Sequence, residues 1–364
     1  MTFVHGGNIY EVAERMGISP EAVLDFSASI NPLGPPPHLL DQFSKYFNRL
    51  QHYPDIHNRS LTAAIAAFHG KTSGQIVTGN GSTELIYALP RALDVRRALI
   101  VLPTFSEYQR AFASQGVELI KVFAAAETFF QPTVEQLACA CEEFQPDAVL
   151  LTHPGSPSGE TLPSAVRSWL AQKGRERRFH LIIDEVFADF CEEESLKGLL
   201  EESEQLVIIR SMTKFYGIPG LRLGYLLTSE SIAAKVSGQL PPWSVNTYAQ
   251  IAGAYCLEQH QYRAESLAFM EEQRKDFSAA LQRLEGCRVY PGRANYVLVE
   301  LDSSLPTAAK LQTDLLLADR ILIRDCSSFE GMGERHVRFA IRLAHENKRL
   351  LAAFGRWLTA NRGA

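Results

Sequence analysis

The sequence predicts an α/β protein, with a large domain built on a mostly parallel central sheet and a smaller α+β domain after it. Short apolar runs alternate with segments of helical periodicity between about residues 55 and 235. Continuous apolar runs are typical of strands buried on both faces, and their alternation with helices favours parallel pairing. The predicted strands are Leu99–Leu102, Ala148–Leu151, Leu181–Ile183, Leu206–Ile209 and Gly224–Leu227.

Segments with helical periodicity separate these strands, at Glu84–Leu93, Val134–Phe144 and Ser164–Lys173. A further helical pattern runs from about Thr247 to Leu284. It is too long for one compact unit, so we expect a helix that joins two domains. Three more strands and a closing helix predict the smaller α+β domain, at Asn295–Glu300, Ile321–Arg324, His336–Ile341 and Glu346–Thr359.

We expect the chain to divide into three parts. Residues 1–37 form an N-terminal arm, residues 38–245 the large domain, and residues 246–364 the interdomain helix with the small domain. The arm ends in the proline-rich Asn31–Pro37, which cannot be helical because proline lacks an amide donor and restricts the residue before it. We expect the arm to pack on the small domain or on a partner subunit.

Composition excludes several classes of protein. The 364 residues include 36 Lys and Arg against 41 Asp and Glu, a net charge of −5, whereas a nucleic-acid surface would need a basic excess. No stretch approaches the ~18 apolar residues of a membrane span, and the N-terminus lacks the pattern of a signal peptide. Six cysteines without Cys-x-x-Cys pairs are typical of reduced thiols. We therefore expect a cytoplasmic enzyme with no metal site.

A strand–turn–helix junction at Thr78–Glu84 predicts a seat for one phosphate group. Its Gly-Asn-Gly turn follows the short strand Gln75–Val77 and opens a helix whose free amides and hydroxyls favour an anion. The third glycine of the dinucleotide fingerprint is missing, with Glu84 in its place. The pattern favours one phosphate over a pyrophosphate, and an ordinary junction is the alternative.

The most informative stretch is Ser211–Tyr225, because its polar residues follow a buried strand. The carboxyl ends of sheet strands are where α/β proteins bind ligands. Lys214 stands there between Ser211 and Arg222, among glycines and apolar residues. This pattern is typical of a Schiff-base lysine, with Ser211 and Arg222 on a cofactor phosphate. A solvated lysine beside small residues is the alternative.

Asp184 ends another buried strand, upstream of Lys214. A buried carboxylate needs a cationic or hydrogen-bonding partner. The pyridinium nitrogen of pyridoxal phosphate would be such a partner, and the ion pair would keep the ring an electron sink. The alternative is a structural carboxylate that caps the next helix.

Together these elements resemble the fold-type-I pyridoxal-phosphate enzymes, whose motifs occur in the same order along nearly the whole chain. The resemblance implies their fold, a large domain with a mostly parallel sheet and a smaller α+β domain. Within this superfamily the chain resembles the histidinol-phosphate aminotransferase branch, and more closely the threonine-phosphate decarboxylases. The segments that carry the closer resemblance are His5–Asn8, Asp25–Gly34, Ser211–Tyr225, Tyr290–Tyr296 and Ile321–Cys326.

The resemblance implies roles on the cofactor, pyridoxal 5′-phosphate. Lys214 would be the Schiff-base lysine and Asp184 the pyridinium partner. Tyr108 would stack on the ring, and Tyr53 would reach the cofactor phosphate from the second subunit of a homodimer. The residues expected to bind the cofactor are Gly81, Ser82, Thr83, Tyr108, Ser156, Asp184, Ser211, Lys214, Arg222 and Tyr53.

The resemblance also implies a site for a small phosphorylated amino acid. Arg338 would clamp the substrate carboxylate, with Arg342 as the alternative. The substrate phosphate would lie against Arg324 and the N-terminal glycine-rich segment, and Asn31 would contact the substrate near its carboxylate. The residues expected to bind the substrate are His5, Gly6, Asn31, Arg324 and Arg338.

Two residues depart from the pattern of the wider superfamily. Ser156 stands where aminotransferases place an asparagine on the cofactor O3′, and Phe187 stands where many place a tyrosine on the same oxygen. The phenylalanine also occurs in the decarboxylase pattern, whereas the serine fits neither family. Because a serine side chain is shorter, a water molecule could bridge it to the cofactor.

The resemblance implies decarboxylation of L-threonine O-3-phosphate to (R)-1-aminopropan-2-yl phosphate for cobalamin biosynthesis. Histidinol-phosphate aminotransferase is the alternative, because Lys214 and Asp184 would serve both reactions. The bond that lies perpendicular to the cofactor ring breaks, so the anchoring of the substrate decides between them. The His5–Asn8 start and Phe187 favour the decarboxylase. A non-catalytic pyridoxal-binding regulator would need a DNA-binding module, and we expect none before residue 31.

Overall fold

A seven-stranded sheet forms the centre of the computed structural model, which describes residues 6–362. The strands are β1 (Leu24–Asp25), β2 (Ile76–Asn80), β3 (Arg97–Leu102), β4 (Glu118–Phe123), β5 (Ala148–Thr152), β6 (His180–Asp184), β7 (Leu206–Ser211), β8 (Leu223–Thr228), β9 (Cys287–Val289), β10 (Tyr296–Leu301), β11 (Ile321–Leu322), β12 (Arg324–Asp325) and β13 (His336–Ala340). The α-helices are α1 (Ile9–Met16), α2 (Leu39–Lys45), α3 (Arg59–His69), α4 (Ser82–Ala92), α5 (Ser106–Ser114), α6 (Val134–Phe144), α7 (Ser164–Glu176), α8 (Met212–Phe215), α9 (Glu230–Ser237), α10 (Thr247–Leu257), α11 (His260–Gln282), α12 (Ala308–Asp319) and α13 (Ala344–Asn361).

The strands of the central sheet follow the order β2-β8-β7-β6-β5-β3-β4. The strands β3 to β7 run parallel, and β8 is antiparallel to both of its neighbours. The predicted mostly parallel sheet is therefore confirmed. Alternate residues face opposite core clusters, with Leu99 and Val149 on one side and Ile100 and Leu150 on the other. Because both faces are covered, the strands have continuous apolar sequences.

The long helical pattern after residue 246 is two helices, so the prediction of a single connecting helix is wrong. The chain leaves the helical conformation at Gln259, with φ −86° and ψ 67°. The first helix, α10, packs against α3, where Gly253 lies close to the Leu61 side chain. The second, α11, turns towards β9 and β10. The helix is interrupted at this point because α10 and α11 pack against different parts of the protein.

Two strand predictions differ from the structure for reasons of pairing. The edge strand β4 has no predicted counterpart, because its partly exposed residues form no continuous apolar run. The predicted strand Ile321–Arg324 is two short strands, since β11 pairs with β1 and β12 pairs with β13.

A second, antiparallel sheet has the strand order β12-β13-β10-β9. The N-terminal segment is joined to this part of the chain through the parallel pair of β1 and β11. The Phe26 amide donates to the Leu322 carbonyl oxygen at 2.7 Å, and the Ala340 amide donates to the Phe26 carbonyl oxygen at 2.9 Å. The division of the chain at residues 37 and 245 stays a prediction. Within residues 6–362, no helix combines the length and apolar character needed to cross a membrane.

The parallel strands bring polar residues to one edge of the central sheet. Neighbouring strands β6 and β7 end at Asp184 and Ser211, which continue the face that carries Ile182 and Ile209. Because side chains alternate along a strand, both polar residues point towards the layer of α4 and α5. This edge is where the sequence analysis places the ligand.

Candidate active site

A cavity of about 250 Å³ lies at the edge where β6 and β7 end. Its wall also includes the turn between β2 and α4 and residues of the C-terminal sheet, so segments distant in sequence meet there. The predicted site residues that line this cavity are Gly6, Gly81, Ser82, Thr83, Ser156, Asp184, Ser211, Lys214, Arg222, Arg324 and Arg338. His5 lies outside the described residues.

The N-terminus of α4 and the Arg222 guanidinium form a positively polarised cradle. Gly81 precedes the helix with φ +80°, a conformation that favours glycine. A Cβ at Gly81 would lie 2.6 Å from Arg222 Nη2, so the absence of a side chain lets the guanidinium approach the first turn. The Ser211 hydroxyl belongs to the same wall. Helix amides, a cation and a hydroxyl together fit a phosphate dianion.

Lys214 lies in the short helix α8 and faces the cavity. Burial, together with the positive charges of Arg338 and Arg222, lowers the pKa of Lys214 to about 8. A substantial fraction of the amine is therefore unprotonated near that pH. The unprotonated amine is the form that attacks an aldehyde carbon.

Asp184 is buried and accepts a hydrogen bond of 2.8 Å from the Val186 amide. Burial raises the pKa of Asp184 to about 6, although the Tyr108 hydroxyl and the Val186 amide act in the opposite direction. The raised pKa means that the surrounding protein supplies too little positive charge for the carboxylate. A cationic ring nitrogen beside Asp184 would supply it.

This set of groups fits pyridoxal 5′-phosphate. The cradle would hold the phosphate, Asp184 the ring nitrogen, and Lys214 the aldehyde carbon. The apolar side chains of Ile86, Phe105 and Phe187 in the cavity wall suit the faces of the ring. Among residues 6–362, no group of three or more His, Cys, Asp and Glu side chains could hold a metal ion.

Tyr108 is fully buried and is not among the residues of the cavity wall. Its ring packs edge-on against Phe105, with 6.3 Å between the ring centroids. Phe105 itself lines the cavity. Stacking of Tyr108 on the cofactor stays a prediction, and the structure makes Phe105 a second candidate for that role.

Two residues considered for the substrate lie away from the cavity. The Asn31 side chain is buried, and its amide nitrogen donates to the Phe215 carbonyl oxygen at 2.9 Å. The protein itself engages this amide, and the expected contact of Asn31 with the substrate stays a prediction. Arg342 pairs with Glu346, with 3.0 Å between nitrogen and oxygen. Of the two candidates for the carboxylate, Arg338 lines the cavity and Arg342 does not.

Arg324 and Arg338 stand opposite each other on β12 and β13, and both are buried in the cavity wall. Arg324 donates to the Ser328 hydroxyl at 2.8 Å, and the Arg338 guanidinium lies 4.6 Å from the centroid of the Tyr296 ring. Burial and the charge of Arg338 lower the pKa of Arg324 to about 10. Two buried like charges this close favour a ligand whose anionic groups neutralise both.

Ser156 and Phe187 line the cavity at the two positions that depart from the superfamily pattern. The Ser156 hydroxyl lies 3.5 Å from Arg338 Nη1. Phe187 packs edge-on against Tyr296, with 5.0 Å between the ring centroids. Ser156 thus borders the arginine pair, and its contact with the cofactor stays a prediction.

Five hydroxyl side chains of the cavity wall are absent from the predicted set, namely Ser27, Ser29, Ser106, Thr213 and Ser328. The Thr213 hydroxyl lies 2.8 Å from the Ser211 hydroxyl, and its place beside Lys214 was a signal that could have found it. Ser29 lies within the segment Asp25–Gly34 that carries the resemblance, whereas Ser328 comes from a segment without a motif. The Ser29 hydroxyl is buried and has no hydrogen-bond partner within the part of the chain that the structure describes.

Tyr53 does not line the cavity of its own chain. Its side chain is 79% exposed and stacks on Trp243, with 4.7 Å between the ring centroids. The tyrosine borders a second cavity, of about 490 Å³. Its predicted reach into a second subunit stays a prediction.

Comparisons with known proteins agree with this site. The sequence profile of the family described as aminotransferase class I and II matches residues 21–354. The chain is 38% identical over 360 residues to threonine-phosphate decarboxylase of Salmonella typhimurium, which covers 98% of this chain and 96% of the relative. Its structure is similar to histidinol-phosphate aminotransferase from Clostridium acetobutylicum, with 31% identity and a TM-score of 0.86. It is also similar to L-threonine-O-3-phosphate decarboxylase from Porphyromonas gingivalis, with 25% identity and a TM-score of 0.82. Each of the two structures matches over 93% of this chain and 100% of its own.

The predicted fold type and cofactor are confirmed by these matches. The phosphate cradle, Asp184 and Lys214 line one cavity whose groups fit this cofactor. The protein is a pyridoxal-phosphate-dependent enzyme of fold type I, and its chain belongs to the class I and II aminotransferase family.

Proposed function

We propose that this enzyme releases the carboxylate of L-threonine O-3-phosphate as CO₂ and forms (R)-1-aminopropan-2-yl phosphate, a reaction of cobalamin biosynthesis. The observation that carries this proposal is the pair of buried arginines, Arg324 and Arg338, on adjacent strands of the cavity wall. Threonine phosphate has two anionic groups, one for each arginine. Histidinol phosphate has a phosphate but no carboxylate. The activity named for the Salmonella relative supports the same choice.

Histidinol-phosphate aminotransferase is the second candidate, and the similarity to the Clostridium structure favours it. Lys214, Asp184 and the phosphate cradle would serve that reaction equally well. The aminotransferase needs a 2-oxo acid as a second substrate, whereas the decarboxylase does not. This difference separates the two candidates.

The arginine pair would select the bond that breaks. Arg338 would bind the substrate carboxylate, and Arg324 with Ser328 would bind the phosphate. Attachment at two points would limit rotation around the amine-bearing carbon and would thereby decide which of its bonds is placed for cleavage. Binding energy from the remote phosphate thereby contributes to the reaction rate.

The remaining residues act at the amine-bearing carbon. When bound, pyridoxal phosphate supplies an electron sink for the bond that breaks there. Lys214, whose pKa is lowered to about 8, can hold a proton near this carbon or donate one to it. Phe105 and Phe187 in the cavity wall exclude water from the same place.

The direct test is incubation of the cofactor-loaded enzyme with L-threonine O-3-phosphate in the absence of any 2-oxo acid. We expect one CO₂ for each aminopropanol phosphate formed. In parallel, histidinol phosphate is offered together with a 2-oxo acid. Faster turnover of histidinol phosphate, with no CO₂ from threonine phosphate, would replace our proposal by the aminotransferase.

Replacement of Arg324 by alanine tests the proposed phosphate contact. A hydrogen bond to a charged group is worth about 1.5–3 kcal/mol, so we expect kcat/KM for threonine phosphate to fall roughly ten- to a hundredfold. The value of kcat/KM for unphosphorylated threonine should fall much less. The control is Arg356→Ala, since Arg356 forms a surface pair with Asp319 at 2.7 Å. Equal losses for both substrates would show that Arg324 serves the cofactor or the fold.

We further propose that the enzyme is a homodimer. Large apolar side chains are exposed in the segment of residues 40–56 and at Trp243, and such groups of side chains mark protein interfaces. Light scattering should therefore give twice the chain mass of 40.5 kDa. Because Tyr53 would reach the partner's cofactor phosphate, Tyr53→Phe should weaken cofactor binding. A fully active monomer would refute this proposal.

We place the enzyme in the cytoplasm. All six cysteines are free thiols in the structure. Free thiols persist in reducing compartments, which supports this location.

A further inference from the structure

A cluster of buried hydrogen bonds lies beneath the turn that carries Lys214. We propose that Asn31, Tyr262 and Ser266 position Lys214 by holding the backbone of this turn against helix α11. The proposal rests on the role of Lys214 in the proposed function. None of the three side chains is among the residues of the cavity wall. We call the three residues the lysine clamp.

Asn31 contacts the turn through both its backbone and its side chain. Its backbone amide donates to the Lys214 carbonyl oxygen at 2.9 Å. Its side-chain nitrogen donates to the Phe215 carbonyl oxygen, also at 2.9 Å. The side-chain oxygen accepts from the Leu33 amide at 3.1 Å, which sets the orientation of the amide group. One residue thereby holds two successive carbonyl groups of the turn, which restricts the direction in which the Lys214 side chain leaves the backbone.

Helix α11 supplies the other half of the clamp. The Asn31 side-chain nitrogen lies 3.1 Å from the Tyr262 hydroxyl and 3.0 Å from the Ser266 hydroxyl, which share one face of the helix. The Tyr262 hydroxyl donates to the Gly34 carbonyl oxygen at 2.6 Å and lies 3.2 Å from the Phe215 carbonyl oxygen. The N-terminal segment, the lysine turn and the helix therefore meet in one hydrogen-bonded cluster.

Burial makes each of these hydrogen bonds matter. Asn31 is 2% exposed, Tyr262 is 7% exposed and Ser266 is fully buried. A buried donor or acceptor that loses its partner is costly, because no solvent replaces the bond. Removal of one hydroxyl is therefore expected to shift the turn or to admit water beneath it.

The same N-terminal segment reaches the strands that carry the arginine pair. It leaves β1, where the Phe26 amide donates to the Leu322 carbonyl oxygen, and the Phe26 carbonyl oxygen accepts from the Ala340 amide. Arg324 and Arg338 lie two residues from these contacts on the neighbouring strands. The clamp therefore fixes Lys214 relative to the groups that would anchor the substrate.

The test compares Tyr262→Phe and Ser266→Ala in the cofactor-loaded enzyme. We expect kcat of Tyr262→Phe to fall at least about tenfold, with KM for threonine phosphate little changed, because misplacement of a reacting group lowers the rate and leaves substrate binding intact. Ser266→Ala removes one contact and should give a smaller loss. The matched control is Tyr255→Phe, because the Tyr255 hydroxyl donates to the Pro37 carbonyl oxygen at 2.8 Å instead.

A second readout separates positioning from stability. The visible absorbance of the bound cofactor titrates with pH through the nitrogen that it shares with Lys214. Burial and the positive charges of Arg338 and Arg222 lower the pKa of Lys214, whereas the negative charge of Asp184 raises it. Water admitted by a loosened turn favours the protonated nitrogen, so the midpoint should move upward by about half a unit or more. Ser266→Ala, the smaller change, provides the same readout if Tyr262→Phe does not fold.

The outcomes distinguish the clamp from the proposed function. A lower melting temperature with an unshifted midpoint and an unchanged kcat per folded molecule would overturn the clamp. Borohydride reduction that still marks Lys214 in that case would leave the proposed function intact. Marking of another lysine in the unmutated enzyme would overturn both.

Discussion

Replacement of Lys214 by alanine is expected to lower kcat at least about 10³-fold, because the substitution removes both the amine that attaches the cofactor and the group that moves protons. Within the described cavity wall, Lys214 is the only lysine. Borohydride reduction of the unmutated holoenzyme, followed by peptide mapping, should mark this residue. The variant should still bind the cofactor without a covalent bond, through the cradle at Arg222 and Ser82.

The matched control is Lys71→Ala. Lys71 forms an ion pair with Glu201 and is not among the residues of the cavity wall. We expect its replacement to leave kcat close to that of the unmutated enzyme. Activity retained by Lys214→Ala, or a borohydride mark on a different lysine, would contradict the assignment.

Asp184→Asn is expected to give the second large loss. Asparagine has the size of aspartate and can still accept from the Val186 amide, but it carries no negative charge. Loss of one partner from a buried ion pair costs about 3–5 kcal/mol, so kcat should fall roughly 10²- to 10³-fold. The control is Asp147→Asn. The Asp147 carboxylate accepts hydrogen bonds from the Arg96 and Arg97 amides at 2.9 and 2.8 Å. Asp147 immediately precedes β5 and therefore lies at the edge of the sheet opposite to the cavity.

Asp184→Asn should also stabilise the cofactor-free protein at neutral pH. Burial raises the pKa of Asp184 from 3.8 to about 6, so ionisation is less favourable in the folded than in the unfolded chain. The resulting penalty is absent below about pH 4, grows as the pH rises, and reaches about 3 kcal/mol above about pH 7. The free energy of unfolding in urea, measured at about pH 4 and about pH 7, should be larger for Asp184→Asn than for the unmutated protein only at about pH 7. Equal stability of the two proteins at neutral pH would contradict the raised pKa.

The cofactor side of the site could be predicted because its determinants are local. Asp184 and Ser211 each end an apolar run, and the carboxyl ends of parallel strands meet at one edge by the rules of sheet topology. Gly81 precedes a helix at the end of a short turn, and Lys214 lies in helix α8, three residues after Ser211. Neighbouring sequence therefore contains the information that places these groups.

What the sequence leaves undecided depends on contacts between distant segments. Asn31 carries the same amide whether it faces the substrate or the lysine turn, and only the packing of α11 beneath it decides. Likewise, Phe105, which precedes α5, lines the cavity, whereas Tyr108 within α5 is buried. The helical pattern does not reveal the break at Gln259, because apolar residues recur at similar spacing in the sequences on both sides of it.

The sequence by itself determined the mostly parallel sheet and the order of the cofactor motifs, and it predicted Asp184, Lys214 and Arg222, which the structure places in one cavity wall. Only the tertiary structure decided that Arg324 and Arg338 stand side by side, that Ser328 contacts Arg324, and that Asn31 forms hydrogen bonds with the lysine turn. The physical reason is the range of the interactions. Periodicity and strand ends report local burial, whereas pairing across β12 and β13 and the contacts of loops depend on which distant surfaces pack together.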